Sequence, residues 1–227
     1  MARPHMQWNG RSVRFPDRRA AGRQLAAILK HLKSDHTIIL GLPRGGVPVA
    51  FEVARALDAP LDIALVRKIG APHQPEVGIG AVVDGSKPKV VLNTEMVRMV
   101  GATQAYIDAE AQRELAELER RRHMYRGNRY PPRLEGSIVV LVDDGIATGA
   151  TMRAVLEGIA QYKPERLVLA VPVAPADALV ALRGAADEIV CLATPEPFYA
   201  VGLHYDDFDQ TGDDEVIALL GAAKAPA

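Results

Sequence analysis

A single cysteine in 227 residues, Cys191 in the apolar run EIVCLA, excludes an intramolecular disulfide and any thiolate metal cluster. It reads as a core residue of a protein from a reducing compartment. The six histidines show no HExxH or related spacing, so a zinc centre is not expected. No stretch reaches the roughly 18 to 20 apolar residues that span a bilayer, and the start MARPHMQWNG has no apolar signal region. A cytoplasmic protein with no membrane partner is expected. The formal net charge of −1 gives the whole molecule no bias toward nucleic acid or acidic partners. Any phosphate site must therefore be built locally. There are no internal repeats and no break in composition, so one domain over residues 1–227 is expected, with a core at about 17–192.

What is present is a series of apolar runs, each followed by a turn and a helical pattern. The segment FPDRRAAGRQLAAILKHL places Ala21, Leu25, Ile28, Leu29 and Leu32 on one helical face, with Asp17 as N-cap. TIIL then runs into GLPRGG and a helix with Pro48 in its first turn. LDIALVRK reads as a second strand, and VGIGAVVDGSKPKVVLN as an antiparallel hairpin turning at Asp84-Gly85. Residues 94–122 read as one helix, broken after it by Gly127 and Pro131-Pro132. SIVVLV, RLVLAVPV and DEIVCLA are continuously apolar, as strands of a parallel sheet covered on both faces must be. The expectation is an α/β doubly wound, mainly parallel five-stranded sheet flanked by helices, with the hairpin and a small C-terminal hood at about 193–221 that the N-terminal segment joins. The tail GAAKAPA is expected to be disordered.

One stretch carries the chemistry. VVLVDDGIATGAT, Val139 to Thr151, ends a buried strand on two adjacent carboxylates, Asp143 and Asp144, and continues into small residues before a helix. Such a turn exposes backbone N–H groups and the positive end of a helix dipole, which together hold phosphate. Gly145, Ile146, Ala147, Thr148, Gly149, Ala150 and Thr151 can form this cradle. A turn capped by Thr148 or Thr151 and holding nothing is the plainer reading of the same residues. The turn lacks the GxxxxGK[ST] lysine, and the acidic pair would repel a phosphate set directly against it. A ligand with phosphate at one end and vicinal hydroxyls at the other satisfies both halves, because carboxylates accept hydrogen bonds from sugar hydroxyls.

These residues resemble the phosphoribosyl pyrophosphate (PRPP) signature of the type I phosphoribosyltransferases. The resemblance implies that Asp143 and Asp144 bind the ribose hydroxyls and that Ala147–Thr151 hold the 5′-phosphate. A second motif, GLPRGGVPVA, read alone is only a tight turn. In this company it resembles the family's pyrophosphate loop, with Pro43, Arg44, Gly45 and Gly46 as the matching positions and Pro43-Arg44 as a peptide bond that is often cis in the family. With a sheet order of 2-1-3-4-5, both loops would open into one crevice.

The resemblance further implies a pentosyltransferase that moves the 5-phosphoribosyl group from PRPP to a small-molecule base or amine and releases pyrophosphate. Mg²⁺ would be held mainly by PRPP, with Asp143 and Asp144 assisting, and Arg44 would join them in catalysis. A PRPP- or nucleotide-binding regulatory protein of the same fold is the rival reading. A homodimer is the expected assembly, and no nucleic-acid partner is expected. A dinucleotide oxidoreductase is disfavoured, since GLPRGG followed by LVRK supplies neither GxGxxG nor the following acid.

Relatives acting on 6-oxopurines carry an acid where this chain has Ala147, and a lysine in the strand that here reads LVLAVPVAP. The ATG loop and LVRKIGAP look closer to adenine-type relatives. Arg67 and Lys68 fit either phosphate contacts or solvated charges. PEPFYAVGLHYDDFDQTGDDEV, aromatic for a chain with only 5% aromatics, resembles a Phe/aliphatic/Val-Gly segment that covers the base in several purine relatives, and the resemblance implies that Phe198 stacks on the acceptor, with Tyr199, His204, Tyr205, Asp206 and Asp207 as candidates for polar readout. A flap packing Phe198 and Phe208 as core is the alternative. Residues 112–133, with Arg126 or Tyr130 reaching the pyrophosphate, suit an active-site lid, and suit a solvated amphipathic helix or a subunit contact at least as well.

Overall fold

Strands apolar on both faces need cover on both, and the chain supplies it by alternating them with helices. The computed structural model describes residues 6–9, 14–85, 88–127 and 129–225. The first half contains β1 (Met6–Asn9), α1 (Arg18–Ile28), β2 (Thr37–Gly41), α2 (Gly46–Leu57), β3 (Leu61–Ile63), β4 (Val66–Ala71), β5 (Gln74–Val83) and β6 (Lys89–Leu92). The second half contains α3 (Thr94–Val100), α4 (Gln104–Arg126), β7 (Ile138–Val142), α5 (Ala150–Ala160), β8 (Arg166–Val173), α6 (Ala176–Ala181), β9 (Glu188–Ala193) and α7 (Asp213–Ala222).

The main sheet is parallel, in the order β1-β9-β8-β7-β2-β3. Read from the β3 edge, β3-β2-β7-β8-β9 reproduces the expected 2-1-3-4-5 order. β1 adds a sixth strand at the β9 edge, beyond the five expected. Alternate residues feed two cores. Ile39, Val140, Val142, Val168 and Val190 pack with α1 and α2, while Leu40, Leu141, Leu169 and Ile189 pack with α5 and α6. Cys191 lies in the second core, as expected. Asp17 caps α1, its carboxylate accepting from Ala20 N at 2.6 Å.

β4, β5 and β6 form a separate antiparallel sheet, with the hairpin at Asp84-Gly85 between β5 and β6. LDIALVRK is therefore two strands in two sheets. The chain changes sheet at Leu65, whose carbonyl turns to accept from Asp84 N at 2.9 Å. The helical stretch from Thr94 is likewise two helices. Gly101, at φ 66°, ends α3, and Thr103 caps α4 by accepting from Tyr106 N at 3.3 Å. The tail is not disordered as far as it is described. α7 includes Gly221 and Ala222, and Lys224 O accepts from Leu61 N at 3.1 Å, while residues 226–227 lie outside the described residues.

Arg126 is not available to a lid. It ends α4 at 5% exposure, donates to Asp62 Oδ1 and Ile63 O at 2.8 Å each, and pairs with Asp84. The cluster ties the end of β3, the β5 hairpin and α4 together. Burial pushes the Asp62 carboxyl above the usual carboxylate range, and Arg126 draws it back. Tyr130 stands 91% exposed beyond the helix. Arg126→Met leaves two buried carboxylates without their main partner, so it is expected to cost about 3–5 kcal/mol in urea unfolding. A loss below about 1 kcal/mol would show that the cluster contributes little beyond its apolar volume.

Candidate active site

β2 and β7 are neighbours in register from Thr37↔Ile138 to Gly41↔Val142, so their C-terminal ends finish side by side. Leu42 N continues the pairing by donating to Val142 O at 2.9 Å. The two loops singled out above therefore leave the sheet at one point, between strands whose connections run to opposite faces. Ligands bind open α/β sheets at this kind of switch point.

The Leu42–Gly46 loop contains the cis peptide Pro43-Arg44 and enters α2 through Gly46 N donating to Leu42 O at 3.0 Å. Its glycines lie directly against the acidic pair. A Cβ on Gly45 would fall 2.0 Å from Asp144 Oδ2, and one on Gly46 would fall 2.7 Å from Val142 O and 2.8 Å from Asp143 Cα. At Gly46 the obstacle is backbone, so only a residue without a side chain fits there, while a side chain at Gly45 would have to displace the Asp144 carboxylate. Arg44, about one-third exposed, reaches Asp213 Oδ1 at 3.7 Å, and the same oxygen accepts from the Tyr125 hydroxyl at 2.5 Å. Burial, with Asp213 adding, pushes the Tyr125 phenol up to about 12.

Asp143 Oδ1 accepts from Asp144 N at 2.9 Å. Asp144 Oδ2 accepts from Arg18 Nε at 2.8 Å, and Asp144 O accepts from the Tyr205 hydroxyl at 2.6 Å. Burial pushes the Asp143 carboxyl well above the ordinary carboxylate range, and the charge of Asp144 adds to the rise. Asp144 is raised by burial and held back by Arg18.

Beyond the pair, Ile146 N donates to Val173 O at 3.0 Å and fixes the turn to β8. Ala147 and Thr148 are exposed, as is Thr151. Gly149, in the left-handed region at φ 79°, occupies the α5 N-cap with no side-chain capping bond. Neither Thr148 nor Thr151 caps the helix, so its first N–H groups keep no side-chain partner. Ala150 opens α5.

The C-terminal segment folds back over the pair. A Cβ on Gly145 would lie 2.5 Å from Val201. Phe198, partly buried, stacks on His204 with centroids 5.4 Å apart and packs on a cluster of Phe15, Ala21, Val173, Ala193 and Tyr205. His204 Nε2 is buried without a partner, and burial lowers the ring's pKa, favouring the neutral form. Tyr199 is 78% exposed. Asp206 pairs with Arg14 at 2.5 Å between exposed side chains, and Asp207 accepts from Asp209 N at 3.1 Å. Arg67 and Lys68 lie on β4, where Arg67 pairs with Glu114 of α4 at 2.6 Å and Lys68 donates to Glu76 O at 3.1 Å. Among the described residues no group of three or more His, Cys, Asp or Glu could hold a metal ion.

Three neighbours of the site were not anticipated: Arg18, Tyr125 and Asp213. Arg14, Arg18, Arg19 and Arg23 look alike on one helix-forming segment, and only the fold distinguishes Arg18.

A parallel α/β sheet with an acidic pair and a glycine-rich loop at its switch point defines a nucleotide- or sugar-phosphate-binding class. The phosphoribosyl transferase domain model matches residues 17–207, and the chain belongs to that family. A Mycobacterium tuberculosis (strain H37Rv) protein, Rv0571c, provisionally named a phosphoribosyl transferase, is 50% identical over 209 residues. The match covers 92% of this chain and 47% of that protein, and its counterpart in strain CDC 1551 matches equally. This chain thus spans about half the length of the curated relatives it matches. The crystal structure of TT1426 from Thermus thermophilus is similar at 47% identity and a TM-score of 0.82, covering 92% of this chain and 98% of that one.

A carboxyl whose pKa is raised by folding contributes most stability below its unfolded pKa, about 3.9 for Asp. That contribution is lost as pH rises through the folded value. Asp143→Asn keeps the Oδ1 acceptor and removes the charge. The ligand-free variant is expected to melt a few degrees above the parent at pH 7.5, with the difference shrinking toward pH 4. Equal melting temperatures at pH 7.5 would contradict the unfavourable ionisation of Asp143.

Proposed function

We propose that this domain is an Mg²⁺-dependent phosphoribosyltransferase that moves the 5-phosphoribosyl group from PRPP to a nitrogenous base or related nucleophile and releases pyrophosphate. One observation supports the reading: Gly45 and Gly46 lie against Asp144 and Asp143, so the loop we assign to pyrophosphate adjoins the pair we assign to ribose. The exposed turn Ala147–Thr151 beside it offers the unpaired amides of the α5 N-terminus to the 5′-phosphate.

In this reading Asp143 and Asp144 accept from the ribose hydroxyls, and Arg44 with the Gly45-Gly46 amides grips the leaving group. The acceptor nitrogen's lone pair forms the new bond to the anomeric carbon as the bond to pyrophosphate breaks. The bonding pair leaves with pyrophosphate, and the acceptor's proton goes to solvent. Fixing the two reactants and countering the leaving charge supply most of the acceleration. The pair suits a hard cation shared with PRPP oxygens rather than a protein-only cage, and Asp143 and Asp144 would hold it. Mg²⁺ would neutralise charge on the pyrophosphate. Ala147 in place of an acid, and the absence of a lysine from β8, favour adenine-type or other non-6-oxopurine acceptors. Phe198 is the acceptor-facing aromatic, and a closed hood would exclude water.

Pyrophosphate release should be followed with PRPP, Mg²⁺ and a panel of purine, pyrimidine and amine acceptors. Turnover is expected with at least one. Saturable PRPP binding without turnover on any acceptor would favour the regulatory reading. The double variant Asp143→Asn/Asp144→Asn should bind PRPP about 100-fold more weakly, the scale of two lost charge-assisted hydrogen bonds. Unchanged affinity would remove the ribose assignment.

A further inference from the structure

Among the described residues, Arg18 is the only cation in a direct ion pair with the acidic pair, and it is underused where it stands. Nε donates to Asp144 Oδ2 at 2.8 Å and Nη1 to Asp209 O at 2.7 Å, while the guanidinium lies 3.8 Å over the Phe208 ring. Of five N–H donors, two are engaged, leaving three without an acceptor among the described residues. The side chain as a whole is only 12% exposed, yet its unengaged nitrogen Nη2 is not among the atoms closed off from solvent, so those donors stand open to an incoming anion. Its position is also particular. A Cβ on Gly45 would fall 3.2 Å from Arg18 Nε, which places the guanidinium against the pyrophosphate loop as well as against Asp144.

A nearly buried guanidinium with idle donors, touching a loop built to approach an anion, lacks an anionic partner. Asp144 cannot be that whole partner. In the reading above its carboxylate is required by the ribose hydroxyls and the magnesium, and a divalent cation and a guanidinium do not share one carboxylate oxygen at close range. We propose that Arg18 is a pyrophosphate-binding residue: it balances Asp144 before substrate arrives and gives its fork to the diphosphate of PRPP when the sugar takes Asp144. This rests on the PRPP reading of the site. Because Arg18 also carries Asp209 O and Phe208, the exchange links filling of the PRPP site to the position of the C-terminal segment.

The test compares ligands that differ only in the diphosphate. PRPP, ribose 5-phosphate and pyrophosphate, each with Mg²⁺, are titrated calorimetrically into the parent, Arg18→Gln and Arg18→Lys proteins, with melting curves as a check on folding. Arg18→Gln should weaken PRPP and pyrophosphate about tenfold or more, the scale of a charge-assisted hydrogen bond. Ribose 5-phosphate should bind as before or more tightly, because Asp144 no longer has to release a cation. Arg18→Lys should recover part of the loss. If Arg18→Gln does not fold, Arg18→Met, which keeps the stem over Phe208, reads the same affinity ratio. Equal losses for PRPP and ribose 5-phosphate would mark Arg18 as structural and overturn the assignment, as would no loss for PRPP. A parent protein that binds neither PRPP nor ribose 5-phosphate would instead sink the PRPP reading, and this inference with it.

Discussion

The contact on which the site depends is between the Gly45-Gly46 backbone and the acidic pair at the end of β7. Gly45 and Gly46 approach the Asp143-Asp144 pair closely enough that a single methyl group would collide with a carboxylate oxygen or with the backbone of β7. That approach is possible because β2 and β7 pair in parallel register to their last residues and release both loops at the same height. The helices that follow run to opposite faces of the sheet, α2 to one core and α5 to the other. The two loops are thereby left together at the C-terminal edge of the sheet, where open α/β sheets bind ligands.

Such a pair is electrostatically costly, and the surrounding structure reads as a response to it. Two adjacent acids in a half-buried place disfavour each other's ionisation, and burial disfavours both. Arg18 compensates one of them from α1, and the hydroxyl of Tyr205 satisfies the backbone oxygen of Asp144. The residual penalty is the state a polyhydroxylated, cation-bearing ligand would relieve. Function and stability pull against each other at this position. The second buried charge cluster, Arg126 with Asp62 and Asp84, has a different task. It joins the antiparallel sheet and α4 to the edge of the main sheet.

Much of this was legible in the residues. Short, continuously apolar and β-branched runs such as IVVLV and RLVLAVPV read as strands of a parallel sheet covered on both faces, and the order of β3, β2, β7, β8 and β9 is the expected one. The two loops and the non-proline cis bond were placed by motif. What escaped depended on tertiary partners. LDIALVRK has a single extended pattern, and nothing local says that Leu65 O will pair with Asp84 N and divert the chain into a second sheet. Gly101 and Thr103 did carry a stop and a start signal, outweighed by the longer helical period on both sides. Arg126 looked like one more cation in ERRRHMYR, and its burial follows only once two aspartates from other strands surround it. Arg18 was hidden for the same reason among neighbouring arginines. α7 packs Val216 and Leu220 into the first core from a segment expected to end in disorder.

The central claim is that one crevice holds one ligand by both ends. A crystal structure of the protein soaked with PRPP and Mg²⁺ tests it most directly. The account requires the ribose hydroxyls on Asp143 and Asp144, the 5′-phosphate in the turn at Ala147–Thr151, and the diphosphate against Pro43–Gly46. Density for the ligand elsewhere, or with its two phosphate ends exchanged between the loops, would contradict it.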